Sequence, residues 1–226
     1  AIVATATNTV LTSAATITNN TDIKTAIGAT SGNDLTINSV ITGSADLILA
    51  AGASGGAGTV TITAPATYTG NTIMNGANSG VLRMGVANAL PAGTNLTMAN
   101  STSNGGILDL NGFDLTIGSL TNGIGGGSIR NNGATDATLT IGGSESPAAF
   151  SLAITDGTTN KTAITRAGTG QTELTGANTY TGLTTVTGGT LRLNRTSGTT
   201  IPATNDVNVT GGTLRISSNQ TLNDLT

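Results

Sequence analysis

The chain has 226 residues with no Cys, no His and no Trp, and only 8% of them are charged, giving a net charge of −3. It therefore lacks an imidazole base, a thiolate, a disulfide and the usual zinc ligands, and its eight Lys plus Arg residues give no basic footprint for nucleic acid or anionic lipid. An apolar fraction of 36% argues against a disordered tail, and no window approaches the roughly 18 to 20 apolar residues of a membrane helix.

Short strands separated by Gly and Asn are predicted along the chain. Thr and Val favour strands, whereas Gly and Asn favour the turns between them, and no window carries the stripe of an amphipathic helix. The chain is therefore predicted to be nearly all β. In order the strands are LTI (35–37), LIL (47–49), TVTIT (59–63), VLRM (81–84), NLTM (95–98), ILDL (107–110), LTI (115–117), TLTI (138–141), FSLAI (150–154), TAIT (162–165), TLRL (190–193), DVNV (206–209) and TLRI (213–216).

One strand–turn–strand phrase occurs twice. Residues 66–84 read ATYTGNTIMNGANSGVLRM, and residues 177–193 read ANTYTGLTTVTGGTLRL. The repeat motif is marked by Tyr68 and Gly70 in the first copy and by Tyr180 and Gly182 in the second. Self-similarity on this scale, in short apolar strands, is typical of a stacked solenoid.

A shorter spacing lies inside each copy. VLRM begins at Val81 and is followed by ILDL from Ile107, and TLRL begins at Thr190 and is followed by TLRI from Thr213. Coils of about 20 to 26 residues would bring these strands into register at a step of about 4.8 Å, which predicts a parallel β-helix. Alternate side chains of a strand face opposite sides, so the apolar residues of these four strands are predicted to line its core. They are Leu82, Met84, Leu108, Leu110, Leu191, Leu193, Leu214 and Ile216.

The composition shows no break that would mark a boundary between globular domains. Residues 1–32 match the repeat poorly and are predicted to be a cap, an extra coil or a flexible lead. Residues 33–226 are predicted to form one continuous β-helix with two long repeats, about 35–145 and 146–226, the second incomplete. Two β-sandwiches of about 110 residues are the alternative, because strand spacing alone does not separate the two architectures.

Candidate chemistry is sparse. A glycosidase needs two carboxyl groups about 5 to 10 Å apart, but the eleven acidic residues are scattered. Asp22, Asp34 and Asp46 recur every twelve residues directly before predicted strands, which is typical of turns. We expect no catalytic residue, no metal ligand and no cofactor. Arg83 and Asp109 occupy matching outward positions of successive strands and are predicted to form an exposed pair between neighbouring coils.

Two other functions are open at this stage. A carbohydrate-active β-helix enzyme would need three or more acidic and basic residues to converge in one groove. An ice- or mineral-binding protein would need a regular outward grid of Thr, for which Thr59, Thr61, Thr63, Thr138 and Thr140 are candidates. Outward β-branched residues also simply favour strands.

The series of strands from Asn33 onward, and above all the phrase from ANTYTG to GGTLRL, resembles the passenger-associated repeat of autotransporter passenger domains. This resemblance implies a single-stranded, right-handed parallel β-helix, or β-solenoid. It also implies an extracellular location, on or released from the surface of a Gram-negative-type bacterium.

Taken with the sparse chemistry, the resemblance predicts a non-enzymatic structural or adhesive rod. The expected partners are ligands on host or neighbouring cells, without nucleic acid and without membrane insertion of this segment. Because the sequence stops within what reads as a further repeat, we also expect either continuation in a longer chain or head-to-tail association into filaments.

Overall fold

The computed structural model describes residues 2–4, 9–11, 17–19, 25–30, 32–49, 58–74, 80–98, 106–144, 149–217 and 219–226. Within these ranges all regular secondary structure is β-strand, and no helix is assigned. The first twelve are β1 (Ile2–Ala4), β2 (Thr9–Leu11), β3 (Ile17–Asn19), β4 (Thr25–Ala29), β5 (Asp34–Ile37), β6 (Ile41–Gly43), β7 (Leu47–Leu49), β8 (Thr59–Ile62), β9 (Thr72–Met74), β10 (Val81–Met84), β11 (Asn95–Met98) and β12 (Ile107–Asp109). The others are β13 (Leu115–Ile117), β14 (Ser119–Asn122), β15 (Ser128–Arg130), β16 (Ala137–Ile141), β17 (Ala153–Ile154), β18 (Thr162–Arg166), β19 (Gln171–Leu174), β20 (Thr184–Val186), β21 (Thr190–Leu193), β22 (Asp206–Val209), β23 (Thr213–Ile216) and β24 (Asp224–Leu225).

The strands stack on three faces that the chain visits in turn. The first face is the sheet β1-β4-β7-β9-β11-β14, followed along the rod by β19-β21-β23. The second face is the sheet β17-β15-β12-β10-β8-β5-β2. The third face begins with the pair β3-β6 and is followed by β13-β16-β18-β20-β22-β24. One circuit of the three faces is one coil.

Short segments without strand geometry carry the faces across the gaps between sheets. On the third face, Thr67 N donates to Ile41 O (2.8 Å), Ala66 N donates to Ala89 O (3.0 Å) and Asn88 N donates to Asp114 O (2.9 Å), and together these bonds link β6 to β13. On the first face, Phe150 pairs with Leu174 of β19. Ser151 N donates to the Oδ1 atom of the last residue of β14 at 2.7 Å. On the second face beyond β17, Thr179 N donates to Ile154 O (2.9 Å) and Asn178 N donates to Thr200 O (3.1 Å). The stacking therefore continues along all three faces of the rod.

All strand pairs within the described ranges are parallel, and the partner of a residue lies one coil away. Near the middle of the chain Val81 pairs with Ile107, whereas near its end Asp206 pairs with Asp224, so the last coil is shorter than the central ones. The predicted parallel β-solenoid is confirmed, and the alternative of two β-sandwiches is wrong because those are built from antiparallel strands.

The core is a narrow aliphatic column inside the coils. Strands alternate buried and partly exposed residues, as in β8 and β11, which is the period-two pattern of a strand with one face in a core. Six of the eight predicted core side chains are fully buried, and they lie in, or directly after, strands that stack in register across the coils. These six are Leu82, Met84, Leu108, Leu110, Leu191 and Leu193.

The other two predicted core residues lie in β23, and they depart from the prediction. Leu214 is only partly buried and packs against the core from its margin, and Ile216 is 45% exposed. The reason is position, because β23 is the last strand of its sheet and, in the part of the chain that the structure describes, no coil stacks on its far side.

The N-terminal strands stack on the rest of the rod. In the described parts of residues 1–32, β1 pairs with β4 and β2 pairs with β5, both in parallel. Asp22 lies outside the described residues. The division into residues 1–32 and two long repeats stays a prediction.

Candidate functional site

The first copy of the repeat motif forms a buried corner where the third face turns into the first. Tyr68 is 1% exposed, and its hydroxyl group is hydrogen-bonded to Thr72 Oγ1. Thr72 Oγ1 contacts Thr94 Oγ1 of the next coil at 2.8 Å, and Thr94 Oγ1 donates to Gly70 O at 3.1 Å. The direction of the last bond fixes the others, so the hydroxyl protons point from Tyr68 through Thr72 and Thr94 to a backbone carbonyl.

The second copy repeats this arrangement with one change of partner. Tyr180 is fully buried, and its hydroxyl group lies 2.8 Å from Thr184 Oγ1. Thr184 Oγ1 donates to Asn205 Oδ1 of the next coil at 2.9 Å. Asn205 Nδ2 then donates to Gly182 O (2.9 Å) and Tyr180 O (3.2 Å). Asn205 therefore takes the place that Thr94 has in the first copy, and it donates to two backbone carbonyls of the corner, whereas Thr94 donates to one.

The glycine of each motif is required by the close approach of the neighbouring coil. A Cβ atom on Gly70 would overlap the backbone carbonyl of Ala45, and one on Gly182 would overlap the carbonyl of Thr162. The spacing Tyr-x-Gly-x-Thr thus combines a buried hydroxyl donor, a position of coil contact and a hydroxyl acceptor at the start of the next strand.

The two copies lie at different corners of the rod. Thr72 belongs to β9 on the first face, whereas Thr184 belongs to β20 on the third face. The strands that end the phrases are displaced in the same sense, because VLRM is β10 on the second face and TLRL is β21 on the first. The repeated phrase therefore specifies a corner and its two flanking strands, independently of the face.

Replacing Asn205 by Ala should lower the free energy of unfolding by about 2 kcal/mol, because the change orphans the Thr184 hydroxyl donor and removes two buried hydrogen bonds. The matched control is Asn208→Ala on β22, where the side chain points outward and is partly exposed. Urea unfolding followed by circular dichroism measures both. Equal losses in the two variants would contradict the role given to Asn205.

A column of glycines lies at the corner between the third and first faces. A Cβ atom on Gly118 would lie 2.6 Å from Gly93 O, and one on Gly188 would lie 2.6 Å from Gly168 O. Gly143 approaches the carbonyl of Gly118 in the same way. The lower part of this glycine column borders a shallow groove of about 390 Å³.

A buried arginine supports the glycine column from inside. Arg166 is 1% exposed, and its guanidinium donates to Gly143 O (2.9 Å) and Gly170 O (3.2 Å) and to the carbonyls of Ile141 and Ala167. Desolvation lowers its pKa from the usual value. The role of Arg166 could not be predicted from the sequence, because the TAITR pattern of β18 does not distinguish an inward Arg from an outward one at the end of a strand.

Arg83 and Asp109 pair as predicted, but the pair is not fully exposed. They are register partners in β10 and β12, and Arg83 Nε lies 3.5 Å from Asp109 Oδ2. The Arg83 side chain is 38% exposed, whereas that of Asp109 is 0% exposed. The expectation of two outward, solvated groups is wrong for Asp109, because its carboxylate turns to the backbone and accepts hydrogen bonds from Asn111 N (3.1 Å) and Asn132 N (3.0 Å).

Other aspartates join neighbouring coils through the backbone. Three bonds of this kind are those of Asp46 Oδ1 from Asn71 N (2.8 Å), Asp114 Oδ1 from Thr138 N (2.7 Å) and Asp136 Oδ1 from Lys161 N (2.7 Å). In each case the acceptor stands directly before a strand and the donor belongs to the next coil. The prediction that such residues occupy turns missed this intercoil bond, which places the carboxylates in a structural role.

The observations that would favour an enzyme or a mineral-binding surface are weak. In the described ranges no group of three or more acidic residues could hold a metal ion, and the carboxylate of Asp109 is engaged by the chain itself. Outward Thr residues do stack in one column of the third face. The neighbouring column pairs Thr138 with Ala163, so the threonines do not form a grid. The stacked column consists of Thr116, Thr140, Thr165 and Thr185.

Comparisons with known proteins agree with the repeat motif. A family model described as the passenger-associated-transport-repeat matches residues 164–193, which include the Tyr180 corner. The adhesin BmaC autotransporter of Brucella suis biovar 1 (strain 1330) is 38% identical over 139 residues, which are 60% of this chain and 4% of that protein. No solved structure matches. The predicted resemblance to autotransporter passenger domains is confirmed.

Among the described residues, no helix is long and apolar enough to cross a membrane.

Proposed function

We propose that the chain is a non-enzymatic, structural and adhesive rod displayed on the surface of a Gram-negative-type bacterium, because it carries a passenger-associated repeat and is similar to part of an autotransporter adhesin. The observation that carries the proposal is the continuous stacking of coils on three faces around one aliphatic column. Such an architecture gives the chain length and stiffness.

The energetics of the fold support a mechanical role. One coil alone cannot bury its apolar side chains, but each added coil gains a backbone ladder and a layer of core, so stability grows by nearest-neighbour contributions. Bonds between side chains and the backbone of the next coil, such as those of Asp46, Asp114 and Asp136, add to each step. A rod of this type can hold its outward residues far from the cell.

Adhesion is tested with beads that carry the purified chain, presented to host cells and to bacteria of the same kind. We expect bead attachment that saturates with surface density and is inhibited by the soluble chain. Beads that carry an unrelated β-solenoid of similar length are the control. Attachment no greater than that of the control would refute the adhesive part of the proposal.

We further propose that the edge formed by β23 and β24 accepts another coil, either from continuation of the polypeptide or from a second copy. Both are terminal strands of their sheets, and Ile216 and Leu225 are 45% and 56% exposed there. An open strand edge with exposed apolar side chains is a template for pairing. Stacking of copies that does not close gives a filament.

Negative-stain imaging at rising concentration tests the stacking of copies. We expect the rods to lengthen with concentration, and a variant with Ile216→Lys and Leu225→Lys to stay short, because charges at an edge oppose pairing. The matched control carries Thr196→Lys and Thr204→Lys, which add the same charge at exposed loop positions. Rods of uniform length at every concentration would exclude filaments of this chain.

A further inference from the structure

Charged residues stack at the alternating, non-core positions of the central strands of the second face. Thr61, Arg83, Asp109 and Arg130 stack in register on four successive coils, and Thr155 follows, since its backbone N–H donates to the carbonyl of the residue before Arg130 at 2.9 Å. We call Arg83, Asp109 and Arg130 the arginine column. Neighbouring members lie about 4.8 Å apart along the rod, so the two arginines are separated by about 10 Å at the backbone.

Among the described ion pairs, the carboxylate of Asp109 pairs with Arg83 but not with Arg130. Asp109 stands between two arginines, but its Oδ1 is occupied by the N–H groups of two neighbouring loops and its Oδ2 faces Arg83 Nε at 3.5 Å. A separation of 3.5 Å is long for a charge-assisted hydrogen bond. One carboxylate therefore neutralises part of the charge of two permanently protonated guanidinium groups, and the column keeps an excess of one positive charge.

Arg130 has a donor without an acceptor. Its Nε is the one buried side-chain nitrogen or oxygen in the described part of the chain that has no hydrogen-bond partner. A buried donor without a partner is costly, and more so when it belongs to a charged group. Native structures satisfy nearly all such donors, and an exception is explained by strain or by a water molecule, an ion or another group that completes the site. Since Nε itself is buried, a ligand would meet the outer part of the guanidinium group.

We propose that the arginine column binds an acidic polysaccharide, whose carboxylate or sulfate groups accept hydrogen bonds from Arg130 and Arg83. A planar guanidinium matches the oxygens of either anion. This inference rests on the proposed adhesive function and names the ligand class and the site.

The surroundings of the column favour a sugar polymer over other anions. Uncharged donors and acceptors flank the two arginines, namely Thr61 and Thr155 in the same stack and Ser128 and Asn132 beside it. These suit sugar hydroxyl groups between widely spaced charges. Nucleic acids and anionic membranes instead require several cations per site, whereas the column offers two arginines and one buried carboxylate.

The test compares the binding of four polymers to the full chain: polygalacturonate, dextran sulfate, neutral dextran and polyglutamate. We expect the first or the second to bind and neutral dextran not to bind. The carboxylate and sulfate polymers distinguish the two sources of the anion. Polyglutamate that binds as tightly as the best polysaccharide would overturn the assignment to a sugar ligand.

Arg130→Gln should weaken binding of the polysaccharide by roughly tenfold or more, since it removes charge-assisted hydrogen bonds. Arg130→Lys should weaken it as well, because the charge remains but the guanidinium fork is lost. The matched control is Lys161→Gln, which removes one positive charge from an exposed position before β18 on the third face. Equal effects of Arg130→Gln and Lys161→Gln would overturn the site.

Measurements of thermal stability and of bead attachment distinguish a ligand site at Arg130 from a structural role of this residue and from failure of the adhesive function. Arg130→Gln should melt at the temperature of the parent chain without ligand, because the change removes a buried donor that has no acceptor in the described part of the protein. A marked loss of stability would show a structural role and overturn the proposal. Beads that attach equally with and without Arg130→Gln would refute the site but leave the adhesive function standing, whereas beads that never attach would refute the function itself.

Discussion

Raising the pH from about 9 to about 12 is expected to lower the free energy of unfolding by on the order of 5 kcal/mol. Burial raises the pKa of Tyr68 to about 12, and it raises the pKa of the fully buried Tyr180 further in the same direction. In the unfolded chain both phenols lose their protons near pH 10. Stability is thus fully present below that pH and is lost as the pH rises towards the pKa values of the folded state, at about 1.4 kcal/mol per pH unit for each tyrosine.

Alkaline titration of the protein tests this prediction. Circular dichroism follows the fold, and ultraviolet absorbance of tyrosinate follows the two phenols, which should ionise together with unfolding rather than before it. The matched control is the double variant Tyr68→Phe and Tyr180→Phe, in which most of the pH dependence should disappear. Ionisation of both tyrosines in a chain that stays folded at about pH 10 would contradict the buried corners described above.

Replacing Gly168 by Ala is expected to lower the free energy of unfolding by about 3 kcal/mol or more. Two independent costs add at this position. Gly168 has a φ of +68°, which lies in the left-handed region that a residue with a Cβ atom adopts only with strain. A Cβ atom would also overlap the backbone carbonyl of Gly142 in the preceding coil, and a backbone atom can move away only if the coils separate.

The control for this substitution lies in the same glycine column. Gly93 has nothing within 4 Å of the place of its Cβ atom, so Gly93→Ala should leave stability nearly unchanged. Thermal and urea unfolding of the two variants give the comparison. If Gly168→Ala unfolded at the same urea concentration as Gly93→Ala, close coil packing at this corner would be refuted.

The fold could be predicted from the sequence because the core follows a local rule. The strands VLRM, ILDL and TLRL alternate inward and outward residues, and their spacing matches one coil, so pattern and spacing together indicated the partners Leu82 with Leu108 and Leu191 with Leu214. The same rule failed at Ile216, since burial there depends on what stacks beyond the strand and not on the strand itself.

The polar interior could not be predicted, because its residues are recognised by three-dimensional partners. Asn205 bonds to Tyr180 and Gly182 across one coil, and nothing local distinguishes it from the outward Asn208. Arg166 occupies an inward position that the alternation assigns to an apolar residue, and its acceptors are backbone carbonyls of two coils. An aspartate on the second face was predicted to face outward by the same alternation, but loop N–H groups hold its carboxylate.

The displacement of the repeat motif by one face has a consequence for the way a longer array would meet its surroundings. Equivalent side chains of successive copies point in directions that differ by about a third of a circle in a three-faced rod, and they also differ in height. Recurring groups would then follow a helical path around the long axis of the rod. A longer array would therefore present some of these groups to a target whichever of its three faces met that target.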